Sequence, residues 1–258
     1  MIHLNKNIIF YFSGTGNSLQ GAREIAKTLE NCQVVSMTDD FVLADNYTSI
    51  GFIYPIYFQG MPLCVRDFVL KINWEHNKKA YVYAVATYGA IAGNGLSQMK
   101  KLLSDNGVKL NYGEKIVMFS NYVVRYDMSK KVKEKTAKFL KNFAPIVENI
   151  KNKKTNEVSN PNFLLEKYYN AQMKAVASLD RNFNISDDCI SCGICEKVCQ
   201  GKNIVIKEGK PFFQNKCQQC VACIQVCPRR AIDYKNSTKK RGRYINPTIT
   251  YEDLIVKK

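Results

Sequence analysis

The chain has 258 residues, of which 46% are hydrophobic, and a net charge of +16. That length holds one or two domains with a real core. No run of about 20 apolar residues could span a bilayer, and the opening MIHLNKNIIF lacks the zones of an export signal, which points to a cytoplasmic protein.

The first half alternates short β-branched or aromatic runs with helical patterns, as a parallel sheet with crossover helices does. KNIIFYF (6–12) reads as a first strand, followed by the glycine loop SGTGNS (13–18) and the helical LQGAREIAKTLE (19–30). CQVVSM (32–37) reads as a second strand. SIGFIYP (49–55) reads as a third, apolar on both faces as a central strand should be. PLCVRDFVLKI (62–72) is helical, with Pro62 suited to the first turn. AYVYAVATY (80–88) gives a fourth strand, GLSQMKKLLSDNG (95–107) a helix closing on Gly107, and EKIVMFS (114–120) a fifth strand. An amphipathic helix follows over 129–152, with Pro145 placed to kink it. The polar, breaker-rich KNKKTNEVSNPN (151–162) marks a domain boundary, and a bridging helix is expected near 163–179.

The glycine loop sits between a strand and a helix, where unpaired backbone N–H groups and the helix dipole favour a phosphate. No lysine follows the glycines, so the nucleotide P-loop pattern fails. Leu19 stands where a dinucleotide fingerprint needs its third glycine, so that pattern fails too. What remains is a set of hydroxyl and amide donors, Ser13, Thr15, Asn17 and Ser18, with Gly14 and Gly16 between them. A purely structural turn stays the competing reading.

With Ser13, Thr15, Gly16 and Ser18 in place after the first strand, this half resembles flavodoxin. The resemblance implies a five-stranded doubly wound α/β fold and an FMN whose phosphate lies in residues 13–18. It also implies ring contacts from the loops after strands three and four. YPIYFQGMP (54–62) offers Pro55, Tyr57 and Phe58. TYGAIAGNG (87–95) offers Thr87, Tyr88, Gly89, Gly93 and Asn94. SNYVV (120–124) would be a weaker fourth contact. One departure is charge, since flavodoxins are usually acidic and this half is basic.

Eight of the ten cysteines lie between Cys189 and Cys227, in two runs, CISCGICEKVC and CQQCVACIQVC. A disulfide framework belongs to shorter secreted chains, so metal is favoured. Paired C-x2-C units can also hold zinc, which stays an alternative. Cys32 and Cys64 stand apart and read as small buried hydrophobes. Over 183–235 the module resembles the ferredoxins with two [4Fe–4S] clusters, a small α+β unit whose run is C-x2-C-x2-C-x3-C-P. That resemblance implies crossed ligation. Cys189, Cys192 and Cys195 would join Cys227 on a first cluster, and Cys217, Cys220 and Cys223 would join Cys199 on a second. Only the second run ends in proline. The first ends Cys199-Gln200, which predicts altered rigidity or solvent access at unchanged ligation. Between the runs, NIVIKEGKPFFQ (203–214) reads as a hairpin around Glu208-Gly209.

The chain as a whole resembles bacterial and archaeal flavodoxin–ferredoxin fusion proteins. The implied layout is an FMN domain over 1–152, a linker and bridging helix over 153–182, a ferredoxin domain over 183–235 and a basic tail over 236–258. RYINP (243–247) in that tail is expected to pack back on another element. His3, Trp74 and His76 form no catalytic pattern. The expected function is a carrier of low-potential electrons between two [4Fe–4S] clusters and FMN, exchanging them with redox partner proteins. An FMN-dependent reductase of a small molecule is the alternative. The basic charge reads as a lysine-rich solvated surface rather than a nucleic-acid site. A dimer is compatible with these readings.

Overall fold

The computed structural model describes residues 6–43, 46–128 and 132–257. His3 and the first residues of the helix expected from 129 lie outside them. The first half is a parallel sheet of β1 (Asn7–Tyr11), β2 (Cys32–Ser36), β3 (Ser49–Pro55), β4 (Tyr81–Tyr88) and β5 (Tyr112–Val117). The strand order is β2-β1-β3-β4-β5, the flavodoxin-like doubly wound order. Its switch point lies between β1 and β3, which are paired parallel from Asn7↔Ser49 to Tyr11↔Ile53.

The alternation of side chains along each strand divides the core in two. Ile8, Phe10, Ile50, Phe52, Val82 and Ala84 face α2 (Leu63–Leu70) and α3 (Gly95–Asp105). Ile9, Ile53, Tyr83 and Val85 face α1 (Asn17–Ala26) and α4 (Val132–Lys151). Each fully buried large side chain contributes about 1.5–3 kcal/mol, so the sheet is held from both sides. α4 continues through Pro145 and stacks Phe139 on Phe143 at 4.9 Å.

Several boundaries differ from the sequence expectation. β5 begins at Tyr112 and ends at Val117, because its ladder with β4 ends at Tyr88↔Val117. Met118 keeps one bond to β4, its N–H donating to Tyr88 O at 2.8 Å, and residues 119–120 lie outside the strand. α1 begins at Asn17, directly after Gly16 with φ 92°, and stops at Ala26. The bridging helix is two pieces, α5 (Phe163–Met173) and a 3-10 turn over Ala177–Asn182. The polar segment before it is pinned: the Asn156 side chain makes two hydrogen bonds to the Gly113 backbone, and Val158 enters the core. Cys32 and Cys64 are half-buried rather than fully enclosed.

The second half is built from short elements. β6 (Phe183–Ile185) pairs with β9 (Ile232–Tyr234), and β7 (Ile204–Lys207) forms a hairpin with β8 (Lys210–Phe213). Glu208 (φ 48°) and Gly209 (φ 74°) make its turn. The one-turn helices α6 (Ile194–Lys197) and α7 (Ala222–Val226) complete it. The halves share interior packing. Phe119, Val123 and Met128 pack with Ile204, Val221 and Ile224, and Leu19 packs with Val198, Ala222 and Leu254.

Candidate functional site

A cavity of about 280 Å³ opens at the C-terminal ends of the sheet strands. That is where a doubly wound sheet takes its ligand. Loop residues after β1, β3, β4 and β5 form its walls, and the cysteine module closes one side. Of the residues expected from the sequence, Ser13, Gly14, Asn17, Ser18, Pro55, Tyr57, Phe58, Thr87, Tyr88 and Gly89 line it.

Hydroxyls dominate the end at the glycine loop. Ser13 Oγ accepts the Gly16 N–H at 3.0 Å, and Ser18 Oγ lies 3.0 Å from Thr87 Oγ1. Each hydroxyl has one proton to donate, so this end offers neutral donors to an anion. Asn17, by contrast, is engaged within the protein. Its amide donates to Phe119 O at 3.0 Å, and its Oδ1 accepts from Tyr244 Oη at 2.6 Å and Asn246 Nδ2 at 3.1 Å.

Four expected residues stand away from the cavity wall. Thr15 is buried. Its hydroxyl accepts from Asn121 Nδ2, and its carbonyl accepts from Asn246 N at 2.9 Å. Gly16 sits under the tail, where a Cβ would lie 2.8 Å from Ile249 Cβ. Gly93 is needed for a close backbone approach, because a Cβ there would lie 2.1 Å from Gln59 O. The Asn94 side chain bonds Asn162 and Glu166, fastening the start of α5.

The far end of the cavity is aromatic. Tyr57 meets Phe12 edge-on at 6.1 Å, so its ring is anchored in the core. Burial, then the neighbouring Cys220, pushes its hydroxyl well above the usual phenol range. Phe58 and Gln59 hold φ values of 48° and 67°. Such backbone costs about 1–3 kcal/mol per residue. Paired hydrogen bonds between Tyr57 and Gly60, both 2.9 Å, hold it in place. Asn121 and Tyr122 bring the SNYVV loop into the wall. Sequence reasoning missed Arg125, Tyr126 and Tyr168, which reach the cavity from segments carrying no recognisable pattern.

The eight clustered cysteines fall into two quartets. Cys189, Cys192, Cys195 and Cys227 ring one small cavity beside Pro228. Cys199, Cys217, Cys220 and Cys223 ring another. Each quartet thus joins three cysteines of one run to the last of the other. Among the described residues, no three His, Cys, Asp or Glu side chains converge closely enough to hold a single metal ion. The thiols stand around a space instead.

Backbone N–H groups point at several sulfurs. Asn203 N lies 3.2 Å from Cys199 Sγ, Gln219 N 3.2 Å from Cys217 Sγ, and Ala231 N 3.3 Å from Cys227 Sγ. Such donors suit thiolate sulfur bound to iron. Burial pushes the Cys195 and Cys220 thiols up to about 12. A cation is needed to keep them deprotonated there.

The two sites touch. Cys220 belongs to the inner quartet and also lines the large cavity. A Cβ on Gly14 would lie 2.7 Å from Cys220 O, so glycine lets the cysteine loop rest on the phosphate-type loop. The tail fastens the contact. Besides Tyr244 and Asn246, Arg23 pairs with Asp253 at 2.5 Å, and Val256 N donates to Lys197 O at 2.9 Å. Gln200, in the position of the missing proline, is buried, and its amide donates to Leu254 O at 3.0 Å. RYINP, expected to pack back on another element, does so through Tyr244 and Asn246. Its partners include Asn17 and Gln20 of α1, more than 200 residues earlier, and Phe119, on which Tyr244 stacks at 4.5 Å.

No family model matches this chain. Over 57 residues, 20% of its length, it is 42% identical to an uncharacterised polyferredoxin-like protein of Methanocaldococcus jannaschii. The match spans only a quarter of that relative. Among solved structures it is similar to a flavoprotein of Bacteroides uniformis described as putative (17% identity, 45% of this chain and 92% of that one, TM-score 0.37). It is also similar to a flavoprotein of Lactobacillus acidophilus in complex with FMN (12% identity, 43% and 93%, TM-score 0.36). A third is the two-electron reduced flavodoxin of Megasphaera elsdenii (20% identity, 43% and 84%, TM-score 0.32). At such scores these likenesses carry no weight of their own. The strand order carries the fold.

Proposed function

We propose that this chain is an electron-transfer flavoprotein, with FMN in the large cavity and a [4Fe–4S] cluster in each cysteine quartet. The single observation behind this reading is Cys220, which is at once a wall of the cavity and a member of the inner quartet. A centre held by that cysteine would meet the flavin within one chain.

The chain's donors fit both groups. Ser13 and one of the Ser18–Thr87 pair, whose other proton is shared between them, offer hydroxyl protons where a phosphate would lie. Tyr57, Phe58 and Tyr88 offer aromatic walls to a flat ring. The quartets supply soft thiolate ligands and N–H donors to sulfur. When bound, FMN supplies exchange of one or two electrons, and each cluster supplies exchange of one. In the layout that follows, residues 1–152 carry the flavin and 183–235 the clusters. Residues 153–182 bridge them, and 236–258 lock the two together. Among the described residues no helix is long and apolar enough to cross a membrane.

The test is stoichiometry followed by reduction. Full-length protein purified without oxygen should contain about eight irons and one FMN per chain. Reducing the clusters should reduce the flavin of the same molecule at a rate independent of protein concentration. Two zinc ions in place of iron, or a rate that rises with concentration, would sink the reading.

Arg125 and Tyr126, exposed at the cavity, favour the second reading, a reductase that holds an anionic or aromatic molecule over the flavin. Multiple turnovers of such an acceptor by the purified protein, lost in Arg125→Ala, would select it over a carrier.

A further inference from the structure

The two quartets sit in opposite local fields. Beside the outer quartet lies Arg243. Its Nη1 donates to Thr238 O at 2.8 Å and Arg241 O at 3.1 Å. Its Nε and Nη2 are buried with no acceptor among the described residues. Cys227 is within electrostatic reach of this guanidinium, and so are Arg230 and Asp233. Asp233 is already occupied by the Thr238 N–H and hydroxyl. Leaving two guanidinium nitrogens, with three N–H groups, buried and unpaired is costly. A negative centre held by Cys227 would lie in the field of this buried cation.

Beside the inner quartet lies Asp180, buried at 6% exposure. Its Oδ2 accepts from Asn203 Nδ2 at 3.0 Å and Asn215 N at 2.7 Å. Asn203 in turn donates its backbone N–H to Cys199 Sγ at 3.2 Å. The carboxylate is thus one residue removed from a ligand sulfur, and it acts on both Cys199 and Cys217. Arg181, next to it in the chain, and Lys216, next to its partner Asn215, are exposed and so screened by water. Around the outer quartet, exposed Asp187 and Asp188 are paired with Lys210 and Lys239.

We propose that Arg243 favours reduction of the outer centre and Asp180 opposes reduction of the inner one, so that of the two clusters the outer one takes an electron first. Reduction adds a negative charge, which a nearby cation stabilises and a nearby carboxylate destabilises. Exposure acts in the same direction, since Cys192 is exposed whereas Cys223 is buried. The N–H donors on the inner sulfurs, including that of Gln200 toward Cys220, act in the opposite direction. They are neutral dipoles, and a full charge in a buried setting outweighs them. The inner centre is then the high-energy step between the outer centre and the flavin.

This inference rests on the cluster reading, and the experiment separates the two. Wild-type protein, Arg243→Gln, Arg243→Lys and Asp180→Asn are loaded with iron and sulfide and titrated with dithionite. Low-temperature EPR follows both centres, with Cys192→Ser and Cys217→Ser assigning their signals. Fewer than eight irons in the wild type overturns the cluster reading before any potential is measured. With eight irons present, the outer centre should reduce first. Arg243→Gln should shift its equilibrium about tenfold toward oxidised, close to 59 mV for one electron, and Arg243→Lys should shift it less. Asp180→Asn should shift the inner centre about tenfold toward reduced. If Arg243→Gln loses iron, Asp180→Asn decides alone. An inner centre that reduces first in the wild type, or an Asp180→Asn variant whose inner centre does not move, overturns the inference.

Discussion

The sheet half and the cysteine half hold their sites together in different ways. The cavity is assembled from loops brought side by side by strand order, and those after β1, β3 and β4 rest on strands buried on both faces. The quartets are assembled from short local spacings in a region with little regular structure, whose strands are only three or four residues long. The sheet should therefore keep its form without any cofactor, whereas the cysteine half depends on what its thiols bind. The seam between them, glycine loop against cysteine loop under the tail, is where the two schemes meet.

The largest effect should come from breaking a quartet. Cys199→Ala should remove the inner centre and about half the iron while the outer centre survives, because Cys199 rings the inner cavity with Cys217, Cys220 and Cys223. Iron counting with EPR reads this directly. Loss of the outer centre alone would mean that each run ligates its own cluster. The sheet's circular dichroism should stay nearly unchanged. Loading should also strengthen as pH rises, since thiols pushed up to about 12 must release protons to bind iron. Iron uptake compared at pH 6.5 and 8.5 checks that sign.

Next in size is the seam. Gly16 holds φ 92°, and a Cβ there would meet Ile249. Gly16→Ala should therefore cost about 1–3 kcal/mol from backbone strain and displace the tail, weakening flavin retention. Asn246→Ala is milder. It removes hydrogen bonds to Asn17 Oδ1 and Gln20 Oε1, at 3.1 and 2.7 Å. Asn17 Oδ1 keeps its bond from Tyr244 Oη, so only Gln20 Oε1 is left unpaired, which costs about 1 kcal/mol. Thermal unfolding and flavin fluorescence titration report both variants. A tail variant that leaves flavin affinity unchanged would mean that the strap serves stability alone.

The contrast also explains what the sequence made legible. The strands, their helices and the glycine loop follow from hydrophobic period and from residues adjacent in the chain. The crossed quartets follow from spacing and the ferredoxin resemblance. Thr15, Gly93 and Asn94 illustrate the limit. Their types suit a ligand loop, but Asn121, Gln59 and Asn162 lie against them first. Arg125 and Tyr168 enter the cavity, and Asp180 and Arg243 approach the quartets, only through tertiary packing, which no local pattern encodes.

The smallest effect belongs to Gln200, where proline would be expected. Its side chain ties Leu254 of the tail, and its backbone N–H points at Cys220 sulfur. Proline could supply neither. Two substitutions separate these roles. Gln200→Ala keeps the N–H and loses the tie, so it should cost about 0.5–1.5 kcal/mol and leave the inner centre's potential in place. Gln200→Pro loses both, so the inner potential should also fall, because an N–H donor to sulfur favours the reduced centre. At the second run, Pro228 stands beside the outer cavity in that position. Equal inner potentials in the two variants would assign Gln200 to the tail alone and leave the N–H without effect.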